Sequence, residues 1–280
     1  MNDNLKTGAI TLPKADIRRI TRRPVLYILL GIATFILTLL IGMDVHAEPG
    51  TTTTPGTITA PVPVVKNSDK CVIVIGDSRT CSLNCTLFGI APEKCYKFTE
   101  DRKNGVNNAV FKYDNIWYVI SGEGGGCQSK GSYDKALLRC SQIVEEMPQL
   151  MACGSYSVVN LFAINDLYYN RKKYSTYPVS YLSKDAMLLT GYPYCDRVFQ
   201  FNAGPVDPNG KAAKSGLTNE LINQYNAGFV SNNLVTCVDL NTYLNNAGFT
   251  AIIDKNDNSG IHYDHDTNIK IFNLIQVMVK

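Results

Sequence analysis

The sequence predicts an α/β protein: a mostly parallel sheet with helices on both faces, preceded by one transmembrane helix. Three observations carry this expectation. Short runs of β-branched and apolar residues recur without polar alternation, as strands buried on both faces require. Amphipathic stretches of helical period lie among them. A separate uncharged apolar run stands near the N-terminus, directly behind a basic cluster.

Residues 1–23 hold Lys6, Lys14, Arg18, Arg19, Arg22 and Arg23 against Asp3 and Asp16 and read as a basic cytoplasmic tail. Residues 24–43 follow as a signal anchor, because Val25 to Met43 contains no charged residue and is long enough to cross a bilayer core. Positive charge stays on the cytoplasmic side, so the rest of the chain is expected outside. The run is long for a cleaved leader, although Val45-His46-Ala47 resembles a small-residue cleavage site and Thr21-Arg22-Arg23 resembles a twin-arginine signal. The preferred reading is a single-pass membrane protein with an extracytoplasmic C-terminal domain, secreted if the leader is cut after Ala47. Residues 44–70 read as a Thr/Pro-rich linker, with Pro49, Pro55, Pro61 and Pro63 favouring extended chain.

The domain is expected over residues 71–280. Cys71–Ile75 is a first strand, stopped by Gly76. Ile116–Ile120 is a second, stopped by Ser121-Gly122. Tyr133–Met147 places Leu137, Cys140, Ile143, Val144 and Met147 on one helical stripe. Ser157–Phe162 is a third strand, ending at Asn165, and Arg197–Phe201 a fourth, ending near Gly204-Pro205. Leu217–Phe229 and Leu240–Ala247 are shorter helices, and Phe249–Ile253 is a candidate fifth strand. The last segment sets Ile269, Phe272, Ile275 and Val279 at helical spacing, with Asp264 or Asp266 available as its cap.

Composition sets limits on function. The chain has 280 residues, 45% of them apolar, and a net charge of +3. The basic tail accounts for all of that excess, leaving the remainder slightly acidic, so no basic face for nucleic acid is expected. Nine cysteines all follow the apolar run, which suits disulfides in an exported domain. Nine is odd, so at least one is unpaired or pairs with another chain. Cys71 and Cys153 read equally well as small buried residues.

Three segments carry the chemistry: Gly76-Asp77-Ser78, Ala163-Ile164-Asn165-Asp166, and Ser259-Gly260-Ile261-His262. In open α/β sheets sites gather beyond the carboxyl ends of the strands, and Ser78, Gly122 and Asn165 each follow such an end. Ser78 is a nucleophile once a base takes its proton. His46 lies beside the apolar run, and His265 falls in the first turn of the last helix, which leaves His262 as base. Asn165, the backbone of Ser78 and the backbone of Gly122 or Gly124 are oxyanion donors. The glycine-rich stretch Gly122–Gly126 lacks the lysine of a phosphate-binding loop, and the two C-terminal histidines lack a third ligand. No cofactor and no metal are therefore expected.

These segments resemble the sequence blocks of the SGNH (GDSL-type) hydrolases over roughly residues 71–280; Val74 to Thr80 and Gly260 to Tyr263 look most like bacterial exported members. The resemblance implies a three-layer α/β/α sandwich. It implies a serine esterase with Ser78 as nucleophile, Gly122 and Asn165 in the oxyanion hole and His262 as base. Its substrates would be esters, often O-acetyl groups on cell-surface carbohydrate. The family's usual acid, three residues before the histidine, is Ser259 here, so Asp257, Asp254 or a backbone carbonyl takes its place. The alternatives are a catalytically degenerate binding module, with Tyr168, Tyr169, Tyr192 and Tyr194 as sugar-stacking faces, and a surface protein cross-linked through its odd cysteine.

Overall fold

The structure is a computed structural model that describes residues 65–101, 106–172, 176–254 and 257–280. The predicted tail (1–23), membrane anchor (24–43) and most of the linker lie outside the described residues. Among the described residues no helix is long and apolar enough to cross a membrane.

The chain runs β1 (Lys70–Gly76), β2 (Tyr96–Asp101), β3 (Val106–Tyr113), β4 (Ile116–Glu123), α1 (Ser132–Glu146), α2 (Pro148–Met151), β5 (Ser155–Asn160), α3 (Ile164–Asn170) and α4 (Val179–Gly191). It continues through β6 (Arg197–Phe201), α5 (Lys211–Lys214), α6 (Asn219–Asn226), β7 (Val235–Val238), α7 (Leu240–Ala247) and α8 (His265–Val279). The described strands form one sheet in the order β2-β3-β4-β1-β5-β6-β7. β1 lies at its centre, parallel to β4 and β5, and β6 and β7 extend the parallel part. β2 and β3 add an antiparallel edge.

Burial explains the two covered faces. Along β1, Cys71, Ile73 and Ile75 join one apolar cluster, with Leu137, Cys140, Ile143 and Val144 of α1. Val72 and Val74 point the other way, into a cluster with Leu244 of α7 and Ile271, Phe272 and Ile275 of α8. Period-two side chains on a strand therefore feed two helical layers. Each fully buried aliphatic or aromatic side chain contributes about 1.5–3 kcal/mol. Phe272 sits at the centre of the second cluster, 4.1 Å from the ring of Phe88 and 4.7 Å from that of Tyr118.

Some boundaries differ from the sequence expectation. β4 continues through Ser121 and Gly122 to Glu123, because it pairs in register with β1 as far as Gly122 and with β3 as far as Glu123. The segment 249–253 is not a strand; only Ala251 bridges, to Tyr263. The seventh strand is instead Val235–Val238. The predicted helix over 217–229 is shorter, Asn219–Asn226, with Thr218 as its cap. The C-terminal helix starts where expected: the Asp264 side chain accepts from the Thr267 amide at 2.9 Å.

Candidate active site

β1 ends in a tight turn at the carboxyl edge of the sheet. At Gly76 any Cβ would collide with Thr80 and Leu161, so the residue must be glycine. Asp77 then folds back: its Oδ1 accepts from the Arg79 amide at 3.0 Å, and its carbonyl accepts from the Thr80 amide at 3.0 Å. This Asx turn lifts Ser78 above the strand end. A short 3-10 turn, Thr80–Ser82, follows rather than an α-helix. Asp77 is fully buried, and burial pushes its carboxyl up to about 6 against the pull of Arg79.

His262 stands in the loop before α8, with Nε2 2.8 Å from Ser78 Oγ. Its Nδ1 bonds Asp257 Oδ2. A carboxylate only accepts, so Nδ1 carries the proton and Nε2 is free to accept from the serine hydroxyl. Of the three substitutes open from the sequence, Asp257 is the one against the ring. Asp254 instead braces the turn, its Oδ1 accepting from the Asp257 amide at 2.7 Å. Burial raises the Asp257 carboxyl, but bonds from the Ser259 hydroxyl and amide, and from His262, more than offset this and hold it below its ordinary range. Ser259, which replaces the expected acid, thus donates to the acid that took over. His265 is exposed on the first turn of α8.

The base loop is pinned from both sides. Gly260 has φ +73°, and a Cβ there would meet Gly210 Cα at 2.8 Å. The amides of Asp207 and Ala212 donate to the carbonyls of Gly260 and Ser259, at 2.9 and 3.0 Å. Arg79, next to the serine, donates from Nε to the Ile261 carbonyl at 2.9 Å. Its Nη1 and Nη2 reach the carbonyls of Gly204 and Pro205 at 3.2 and 2.9 Å, and its guanidinium lies 4.4 Å from the Tyr263 ring. One buried side chain therefore joins the serine turn to the loop of its base.

Asn165 lies in the first turn of α3, buried, with its Nδ2 making no hydrogen bond. Next to it, the Asp166 carboxylate accepts from the amides of Gln128 and Ser129 at 2.7 and 2.9 Å and from Tyr181 Oη at 3.1 Å. That ties α3 to the segment just after the glycine-rich loop. Gly122 sits inside β4 opposite Gly76, and a Cβ there would meet the Cys81 amide at 2.6 Å. The cleft wall is formed farther along, by Gly124 and Gly125. The cleft holds about 530 Å³, and Ser78, Asn165 and His262 open into it beside Tyr168 and Tyr169. Tyr192 and Tyr194 pack elsewhere, against the core cluster under α1. A second space, about 20 Å³ beneath Arg79 and Ala163, has room for about one water.

No family model matches the chain, and no curated protein does. Eleven solved chains match in structure. One is a protein from Streptococcus pneumonia provisionally described as a platelet activating factor. The match is 14% identical, with a TM-score of 0.42, over 79% of this chain and 87% of that one. A likeness of that extent assigns nothing to the site.

Chemically, a hydroxyl bonded to an imidazole nitrogen, with the ring oriented by a carboxylate on its other side, is set for nucleophilic attack on an acyl carbon. An unengaged amide donor in the same cleft can meet the oxygen that becomes charged. The His262 side chain is 34% exposed, so water can reach the base. Among the described residues no group of three or more His, Cys, Asp or Glu side chains is arranged to hold a metal.

Proposed function

We propose that the chain is a membrane-anchored, extracytoplasmic serine esterase of the SGNH type, acting on O-acetyl esters of cell-surface carbohydrate. The observation that carries the esterase reading is the Ser78 Oγ–His262 Nε2 contact of 2.8 Å, with Asp257 on the far side of the ring. Location and substrate rest on the sequence: the basic-then-apolar N-terminus for the first, the resemblance for the second.

Ser78 attacks the ester carbonyl as His262 takes its proton, and Asp257 stabilises the imidazolium that forms. The tetrahedral oxyanion is held by Asn165 Nδ2, the Ser78 amide and the Gly124 amide, which takes the place first given to Gly122. His262 returns the proton to the leaving sugar oxygen. Water, deprotonated by the same ring, then releases the acyl group from Ser78 as a carboxylic acid. The binding-module alternative drew on the missing acid at position 259, and Asp257 on the ring removes that ground.

The full chain, purified in mild detergent, is expected to hydrolyse 4-nitrophenyl acetate, and Ser78→Ala to lower kcat by at least about 10³-fold. Equal rates for the two proteins refute the assignment.

A further inference from the structure

The candidate cleft carries charge of one sign. No carboxylate lines it, whereas Lys211 does. The nearby acids are already engaged: Asp166 by two amides and a tyrosine hydroxyl, Glu123 by Arg139 at 2.8 Å, and Asp257 by His262 and Ser259. Asp207, the acid four residues before Lys211, turns its Oδ1 to the Asn209 amide. Among the described residues Lys211 has no ion-pair partner.

Lys211 is also held in place relative to the chemistry. It opens α5, and its amide donates to the Asn258 carbonyl at 2.9 Å, one residue from Ser259. Gly210, just before it, packs so closely on the base loop that a Cβ would meet the Ser259 carbonyl at 2.6 Å. The backbone of Lys211 is thus fixed beside the loop that carries His262, and its ammonium extends from there on a flexible four-carbon stem. Tyr168 and Tyr169, an edge-to-face pair 5.2 Å apart, line the same cleft. Each carries a further cation: Arg171 lies 5.2 Å from the Tyr168 ring and Lys130 4.3 Å from that of Tyr169. Aromatic side chains suit a sugar ring; Lys211 lines the cleft itself, and Arg171 and Lys130 add positive charge behind its two tyrosines, with no carboxylate in the lining.

Resting on the esterase reading above, we infer that the substrate is an acylated acidic sugar, its negative charge met by Lys211 while the ring lies against Tyr168 and Tyr169. A lysine is a point charge, so a uronate carboxylate and a sugar phosphate are equivalent chemistries for it. The test uses the full chain in detergent and three matched esters: 3-O-acetylglucose, 3-O-acetylglucuronate and 3-O-acetylglucose 6-phosphate, followed by acetate release. The expected result is a kcat/KM about fivefold higher for an anionic ester than for the neutral one, an advantage that shrinks as salt rises from about 50 to 500 mM. Lys211→Met brings that ratio to about one, and Lys211→Arg keeps it. Which anionic ester gains shows whether carboxylate or phosphate is the natural charge. Equal rates on all three, an advantage that survives Lys211→Met, or turnover of 4-nitrophenyl acetate with none of the sugars would overturn the inference. If no ester at all is cleaved, the esterase reading itself fails.

Discussion

Arg79 reaches from the serine turn to three backbone carbonyls on two other segments. Truncating it strands buried acceptors, each worth roughly 1–3 kcal/mol. Arg79→Gln is therefore expected to lower stability by at least about 3 kcal/mol. It should also lower kcat far more than it raises KM, because it loosens the register of Ser78 and His262 rather than the cleft wall. Arg79→Lys, which keeps the charge but not the fork, should recover only part of kcat; thermal unfolding and steady-state kinetics on the two variants check this. At Asp257 the expectation is sharper. Asp257→Asn should cost about 10²–10⁴-fold in kcat, whereas Asp254→Asn, which only braces the turn, should cost far less. Ser259→Ala removes a donor to Asp257, an effect of about 1 kcal/mol or roughly fivefold in kcat. Ser259→Asp should not restore a stronger acid; it sets a second carboxylate against Asp257, and a measured gain in rate would contradict the arrangement described.

At the scale of elements, α4 buries an acid on its apolar stripe. Asp185 accepts from Tyr133 Oη at 2.7 Å and from Asn160 Nδ2 at 3.0 Å, and burial nonetheless pushes its carboxyl up to about 7. Raised above its unfolded value of about 3.9, the group binds a proton more readily in the folded state. Its contribution to stability is thus fully present below pH ~4 and is lost as pH rises through about 7. Asp185→Asn should flatten the fall in stability between pH 5 and 8, by up to about 4 kcal/mol across the full range; denaturant titrations at several pH values would show it. The same acid hides α4 from sequence reading, since the buried positions Tyr181, Leu182, Asp185 and Leu188 do not form a clean apolar period. β1, β4, β5 and β6 were legible because strands buried on both faces are continuous apolar runs. β2 and β3 mix Lys, Glu, Asp and Asn into their sequences, and β7 has only four residues, too few to show a period. In the site, Ser78, Asn165 and His262 were legible from position at strand and loop ends. Asp257 stayed one of three options because a loop has no period from which to compute which acid faces a ring. Gly122 drew attention as the first glycine after an apolar run, but the ladder with β3 carries the strand past it, and the cleft begins at Gly124.

Across the whole molecule, Cys85 and Cys95 are joined, and the other seven cysteines are thiols, five of them buried. Titration of the native chain with an aromatic disulfide reagent should find at most two reactive thiols, Cys81 and Cys237, the two that are partly exposed; unfolding without reductant should raise the count to seven. More than seven would mean that the Cys85–Cys95 bond is not formed, and fewer would mean further disulfides. The two ends of the described chain also meet. Lys70, which opens the central strand, donates from Nζ to the Lys280 carbonyl at 2.7 Å, and Arg197, at the start of β6, donates to the Val279 carbonyl at 3.0 Å. All of these lie at the amino edge of the parallel strands, while Ser78 and His262 lie beyond the carboxyl edge, a strand length of about 20 Å away. A bead, label or display scaffold fixed at either terminus of the folded body would accordingly leave the reacting groups facing outward, and a short peptide spliced between positions 280 and 70 would close the chain into a ring without crossing the mouth where a polymer must enter.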